Sequence, residues 1–154
     1  MVTQQDLLPD LVNTFTSLDD QCAVVLIGSV ANGTHGLESD IDLNVFFPKE
    51  GLAYGHPYVG DDNRWQLQVK DQLHGFRIDI AWETYEGLAL RLRGDGPSDC
   101  WPFSNGRILY DPSGVVQARM NIAQDWFRDH PDVARDFAKA RADAKQEQRR
   151  RCQQ

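Results

Sequence analysis

The clearest hydrophobic pattern in this chain is a run of five apolar residues that stops at a glycine. The run is Ala23-Val24-Val25-Leu26-Ile27, and Gly28-Ser29 follows directly. A short continuous apolar run bounded by a turn residue predicts a buried strand. Ten residues further on, a second segment alternates apolar and polar positions, which predicts a second strand. The pattern of residues 23–47 therefore predicts a strand, a tight turn, a short helix and another strand.

The remaining pattern predicts helices and strands that follow one another along the chain. Alternation indicates a strand over residues 76–82, and residues 106–112 predict a short strand that ends in a turn at residues 111–114, with Asp111 as the turn or helix-cap residue. Residues 48–63 contain two prolines and three glycines, which predicts a loop, whereas residues 63–74 fit either a strand or a short helix. Apolar residues at helical spacing predict helices over residues 3–18, 83–93, 115–130 and 132–151. This order predicts an α/β fold of the α+β type, with a short mixed β-sheet flanked by helices and followed by C-terminal helices.

Two aspartates occupy one face of the predicted second strand. Asp40 and Asp42 share that face because successive strand side chains point to opposite sides, and the apolar residues between them face the core. Adjacent carboxylates repel each other unless a cation neutralises them, and Mg²⁺ prefers carboxylate and phosphate oxygens. Gly28 permits a sharp turn, and Ser29 begins the predicted short helix, where free N–H groups favour a phosphate. These residues predict a phosphate site beside a metal site.

A third carboxylate lies in the middle of the strand predicted over residues 76–82. Asp79 falls on the polar face and is flanked by two isoleucines. A buried carboxylate without a partner is costly, and a metal ion is a natural partner. An ion pair with Arg77 or another base is the alternative. Glu83 lies on the same face and is the next candidate for the third acid.

Composition and charge narrow the range of functions. The 154 residues suit one domain with a sizeable core, and 41% apolar and 25% charged residues are ordinary for a globular protein. The net charge of −7 argues against binding of long nucleic acid, because such binding usually requires a basic surface. Three widely spaced cysteines show no zinc-site spacing, and no signal peptide or membrane span is visible. We therefore expect a cytoplasmic protein with reduced thiols.

The combined motif resembles the signature of the DNA polymerase β-type nucleotidyltransferase superfamily. Gly28-Ser29 followed after ten residues by Asp40-Ile41-Asp42 is most similar to its small bacterial members, the minimal and antibiotic nucleotidyltransferases. The resemblance covers roughly residues 20–115 and is loose outside the motif. Many members carry Arg where this chain has Asn32, so the resemblance assigns no role to Asn32.

The resemblance implies a reaction and a role for each motif residue. The reaction would be Mg²⁺-dependent transfer of a nucleoside monophosphate from an NTP, expected to be ATP, to an acceptor hydroxyl, with release of pyrophosphate. Asp40 and Asp42 would bind two Mg²⁺ ions, and Asp79, which matches the family's third carboxylate, would complete the metal site. Gly28 and Ser29 would hold the β- and γ-phosphates.

The same resemblance leaves the acceptor and the domain organisation open. Residues 1–115 would form the catalytic domain, and residues 116–154 a helical extension that is either a minimal form or a truncated domain. The acceptor would be a partner protein, as for antitoxin nucleotidyltransferases that modify a HEPN-type toxin, or a small molecule such as an aminoglycoside. A non-catalytic nucleotide-binding or interaction module is the third hypothesis.

The last predicted helix has few apolar residues to hold it on its own core. A helix of this kind is ordered mainly by packing against something else, so we expect it to contact a partner protein or a second copy. Deletion of the residues after Pro131 is expected to leave Mg²⁺ and NTP binding intact, because the motif residues lie upstream.

Overall fold

The described part of the chain is a mixed sheet covered by helices, as the sequence predicts. The structure, a computed structural model, describes residues 2–37, 39–48, 64–66, 76–93 and 97–152. Within these ranges the strands are β1 (Ala23–Ile27), β2 (Ile41–Phe47), β3 (Arg64–Gln66), β4 (Ile78–Thr84) and β5 (Arg107–Tyr110). The helices are α1 (Gln4–Thr16), α2 (Gly28–Ala31), α3 (Tyr85–Arg93), α4 (Val115–Asp129) and α5 (Pro131–Cys152), with a 3₁₀ helix over Pro97–Phe103.

The sheet has the strand order β3-β4-β2-β1-β5. β2 pairs antiparallel with β1 and parallel with β4, while β3 and β5 add antiparallel edges. The parallel pair sets the candidate carboxylates on neighbouring strands that run in the same direction. β2 is the central strand and lies between β1 and β4, so its side chains are next to both the glycine turn after β1 and the polar face of β4.

Both faces of the central strands are buried, each against different helices. Along β2, the alternate residues from Ile41 to Phe47 pack against α1, together with apolar residues of β1 and β4. Phe46 faces the opposite way, into a second cluster built from β1, α3, α4 and the 3₁₀ helix. Asp42 lies four residues before Phe46 and therefore points to the same, second face of β2. Asp79, its register partner on β4, points to this face as well, so both acids lie at its polar end.

A buried glutamine positions the segment that leads into β2. Gln4, 1% exposed, directs its side-chain Nε2 towards the carbonyl oxygens of Gly36, Leu37 and Ser39 at 2.9, 3.2 and 3.1 Å. These contacts satisfy carbonyls that no strand partner reaches, and a buried polar group requires such partners. α1 thereby sets the path by which the chain enters Asp40.

Several predicted element boundaries are displaced in the structure. The strand predicted over residues 76–82 runs from Ile78 to Thr84, because Glu83 and Thr84 still pair with β2, and the following helix begins only at Tyr85. The short strand predicted within residues 106–112 is β5, which ends at Tyr110 before the predicted turn, and β3 accounts for part of the unassigned segment 63–74. The loop predicted over residues 48–63 lies, apart from Pro48, outside the described residues. No helix in the described ranges is long and apolar enough to cross a bilayer.

α5 is attached to the rest of the protein through few apolar contacts. None of its side chains that the structure describes is buried. Phe137, 36% exposed, stacks on Trp101 with ring centroids 5.4 Å apart and meets Phe127 edge-on at 5.9 Å. The sequence-based expectation of weak apolar support for this helix agrees with these contacts.

We predict that Phe137→Ala loosens α5 without unfolding the core. The substitution removes two aromatic contacts, and we expect the free energy of unfolding to fall by about 1 kcal/mol. Hydrogen exchange measured by mass spectrometry should show faster exchange of the α5 amides. Leu90→Ala, at a side chain 57% exposed on α3, is the control and should leave α5 exchange unchanged. Equal protection of α5 in Phe137→Ala and in the wild type would contradict this role.

Candidate active site

The turn after β1 brings the backbone of Gly28 against a carboxylate of β2. Ile27 pairs with Asp42 across the two strands, so the turn at Gly28 lies directly beside Asp42. Gly28 has φ +72°, and a Cβ atom at this position would lie 2.2 Å from Oδ2 of Asp42. Both the left-handed backbone and the lack of space require glycine here. Ser29, 8% exposed, follows in the short helix α2.

The parallel pairing of β2 with β4 places two of the predicted acids side by side. Asp42 and Asp79 are register partners on neighbouring strands, which lie about 4.8 Å apart in a sheet. Burial, followed by the charges of Asp79 and Asp40, raises the pKa of Asp42 to about 6. Arg141 and Lys145 act in the opposite direction and lower the pKa of Asp42. Three negative side chains therefore interact at one end of the sheet.

Arg77 is the cation that contacts two of these acids. Its Nη2 forms ion pairs with the carboxylates of Asp40 and Asp79, the latter at 3.2 Å. The sequence-based alternative, an ion pair between Asp79 and Arg77, is thus present. Among the described residues, no group of three or more His, Cys, Asp or Glu side chains is arranged to hold a metal ion.

The donor set nevertheless fits a divalent cation. Oδ1 of Asp79 is buried and accepts no hydrogen bond from a described residue. An orphaned buried carboxylate oxygen beside a carboxylate of raised pKa is a site where a cation would remove two unfavourable terms, desolvation and repulsion. Hard carboxylate oxygens suit Mg²⁺. Displacement of the Arg77 side chain, which is half-exposed, would free Asp40 and Asp79 to act as ligands.

A cleft of about 400 Å³ opens beside Asp42. One side is formed by Gly28, Ser29 and Asp42, three of the five predicted site residues. Asp40 and Asp79 are not among its described lining residues; Asp40 directly precedes β2, and Asp79 is the register partner of Asp42. The described residues that complete its walls come from the turn after α2, the 3₁₀ region and α5, and they are Asn32, Thr34, Trp101, Pro102, Ser104, Asn105, Ala138, Arg141, Ala142 and Lys145.

Asn32 fixes the turn that borders this cleft. Its Oδ1 accepts hydrogen bonds from the backbone N–H and the hydroxyl of Thr34, at 3.1 and 2.6 Å. Asn and Asp commonly stabilise turns by bonding to the backbone two residues on. Asn32 therefore shapes the wall of the cleft locally, at the position where many members of the resembling family carry Arg.

Two other acids have structural partners away from the cleft. Glu83, the alternative to Asp79, forms an ion pair with Arg91, and burial raises its pKa despite that partner. Asp111 accepts a hydrogen bond from the backbone N–H of Gln117 at 2.8 Å, in the first turn of α4. The prediction that Asp111 serves as a turn or cap residue is confirmed.

Arg141 and Lys145 are cleft residues that the sequence reasoning missed. They lie four positions apart on α5, more than ninety residues after the motif. One signal was present in the sequence: no acid stands three or four positions from either residue, whereas Arg135, Lys139 and Arg151 each have one. Acids at these spacings pair with helical cations. Arg149 lacks them as well, so this signal marks three cations of α5, of which two line the cleft.

A glycine turn and paired strand carboxylates beside a cleft make up the candidate site. The family model described as "Nucleotidyltransferase domain" matches residues 8–95, which is more than half of the chain. The chain belongs to this nucleotidyltransferase family, as the motif indicated, and its general reaction is transfer of a nucleoside monophosphate from an NTP. None of the curated proteins matches the chain.

We predict that Asp42→Asn makes the metal-free protein more stable at neutral pH. The pKa of Asp42 rises from 3.8 to about 6 on folding, so the folded protein binds this proton more tightly than the unfolded chain does. Its contribution to the free energy of unfolding is therefore highest in acid and falls by about 3 kcal/mol as the pH rises from about 4 to about 6, at roughly 1.4 kcal/mol per unit.

Denaturant titrations of both proteins across this pH range measure the effect. The Asn variant should lack this part of the pH dependence and should exceed the wild type in stability above about pH 6. Lower stability of Asp42→Asn at neutral pH would show instead that the carboxylate holds a stabilising ion pair.

Proposed function

We propose that this protein transfers a nucleoside monophosphate from ATP to a hydroxyl group of an acceptor and releases pyrophosphate. The observation that carries the proposal is the meeting of the glycine turn with two carboxylates: Gly28 touches Asp42, and Asp42 is the register partner of Asp79. Membership of the nucleotidyltransferase family supports the same reaction. We assign Asp40, Asp42 and Asp79 as the metal-binding acids, and Gly28 and Ser29 as phosphate-binding residues.

The chemistry that we propose depends mainly on positioning. Two divalent cations, when bound, would stabilise the attacking and leaving oxygens of an in-line displacement. Gly28 and Ser29 hold the β- and γ-phosphates, so that the α-phosphate lies beside Asp42. The acceptor oxygen forms a bond to the α-phosphorus while the bond to the β-phosphate oxygen breaks, and pyrophosphate leaves. Asp79 takes the proton of the acceptor hydroxyl, directly or through water.

We propose a partner protein as the acceptor. The support is α5, which presents a long, exposed and polar surface next to the cleft. A small molecule such as an aminoglycoside is the alternative acceptor. It would need a pocket that encloses it, and among the described residues this cleft is the surface that would serve.

Transfer from labelled nucleotides in an extract of the native cells tests the proposed function. Label in the α-phosphate should move to an acceptor, whereas label in the γ-phosphate should appear in pyrophosphate. Asp42→Asn and Asp79→Asn should each reduce transfer by about 10²-fold or more, whereas Asp125→Asn, an exposed acid on α4, should not. The acceptor is a protein if the label migrates with protein and a small molecule if it does not. Transfer that survives both active-site substitutions, or no transfer from any NTP, overturns the proposal.

We also predict that Arg77→Gln tightens Mg²⁺ binding. The guanidinium contacts Asp40 and Asp79 and therefore competes with a metal ion for them. Because exposed ion pairs contribute up to about 1 kcal/mol, the affinity for Mg²⁺ should rise by about fivefold. Isothermal titration calorimetry of the protein with Mg²⁺ measures this change. Arg93→Gln removes the same charge from α3 and is the control. Unchanged or weaker Mg²⁺ binding in Arg77→Gln would contradict competition between the two cations.

A further inference from the structure

One face of α5 forms part of the wall of the cleft that the glycine turn also lines. The four α5 residues that line it are Ala138, Arg141, Ala142 and Lys145. Their spacing of three, one and three positions places them on a single side of the helix. The two alanines are small and leave space beside the two long basic side chains. Gly28, Ser29 and Asp42 line the same cleft.

Arg141 and Lys145 form no close ion pair with a described residue, unlike three other cations of α5. Arg135 pairs with Asp132, Lys139 pairs with Asp143 at 2.8 Å, and Arg151 pairs with Glu147 at 3.2 Å. Among the residues that the structure describes, none forms an ion pair within 4.0 Å of Arg141 or Lys145. The two cations that line the cleft are therefore available to a ligand.

The cleft is locally positive within a protein of net charge −7. Its described lining carries two cations against a single carboxylate, Asp42. Clefts lined by one sign of charge concentrate the field and attract ligands of the opposite sign. Ser29 and Ser104 add hydroxyl groups, and two asparagines add amide N–H groups, all of which can donate hydrogen bonds to anionic oxygens. The ligand chemistry that matches this lining is an anion with several oxygens spread along a chain.

We infer that Arg141 and Lys145 bind the polyphosphate chain of the donor nucleotide, so that α5 is part of the nucleotide site. The assignment of the ligand as a nucleoside triphosphate rests on the proposed function; the anion-binding wall rests on the cleft itself. Arg presents several donors to phosphate oxygens, and Lys acts as a compact charge. The polyphosphate then lies between the α5 cations and the turn at Gly28–Ser29. Binding of NTP requires α5, in contrast to the sequence-based expectation that the residues before Pro131 suffice.

The test compares two double variants of the same helix. Arg141→Gln/Lys145→Gln removes the cleft cations, and Arg135→Gln/Lys139→Gln removes two equal charges that are paired with acids. Gln has a helix propensity close to those of Arg and Lys, and circular dichroism checks that α5 is retained. Calorimetry with Mg²⁺ and a non-hydrolysable ATP analogue should show affinity lower by about tenfold or more in the first variant, since each lost charge-assisted bond weakens binding. The second variant should remain within about twofold of the wild type.

The outcomes separate this inference from the proposed function. Equal nucleotide affinity of the wild type and Arg141→Gln/Lys145→Gln would overturn the inference while transfer activity persists. An equal loss in both double variants would also overturn it, because the effect would then reflect net charge alone. If the wild type binds no nucleotide, the proposed function fails, and inorganic tripolyphosphate becomes the deciding probe. Tripolyphosphate binding that is weakened only in the cleft variant supports the wall, and equal binding overturns it.

Discussion

Repulsion among carboxylates at the end of two parallel strands governs the arrangement of this site. The hydrogen-bonded register of β2 with β4 sets Asp42 beside Asp79, and a shift of either strand by one residue would exchange the side chains that pack on its two faces. The hydrophobic core thus holds the acids together against their mutual repulsion. The surrounding cations can be understood from this constraint: Arg77 contacts two of the acids, and Arg141 and Lys145 act on Asp42 from across the cleft.

The two sets of cations, Arg77 and the α5 pair Arg141 and Lys145, offset the carboxylate charges in different ways. Arg77 is in direct contact and lies on the residue segment that enters β4, so it is held where the acids are. The α5 cations act at a greater distance and from an element with few apolar contacts. A metal ion would replace the first, because both require the same carboxylate oxygens, whereas an anionic ligand would bind to the second. The metal-free protein therefore already carries counter-charges on both sides of Asp42.

The part of the site that depends on local sequence was predictable. A strand ending at Gly28 and a strand carrying Asp42 follow from alternation and turn chemistry, and the family match covers residues 8–95. The third acid, Asp79, was placed correctly in a strand because Ile78 and Ile80 point to the core. The limits of β4 were less accurate, since pairing with β2 extends the strand to Thr84 despite a polar sequence.

Contacts between distant segments were not predictable in the same way. The side chain of Gln4 bonds to carbonyls more than thirty positions away, and no periodicity in the sequence indicates this. α5 packs next to the cleft through the stacking of Phe137 on Trp101. These residues belong to different helices, and the periodicity within one helix does not predict which other helix it contacts. The hypothesis that α5 contacts a partner protein remains a prediction, and the cleft gives this helix a second role.

The weak attachment of α5 has a thermodynamic consequence for any ligand of the cleft. A helix that is exposed along its length and held by a few aromatic contacts is in equilibrium with detached states. If a ligand binds only when the helix is docked, its observed affinity includes the cost of docking, and the ligand in turn favours the docked state. This linkage is reciprocal. A protein that binds the outer surface of docked α5 would raise the affinity of the cleft for its ligand without contacting that ligand.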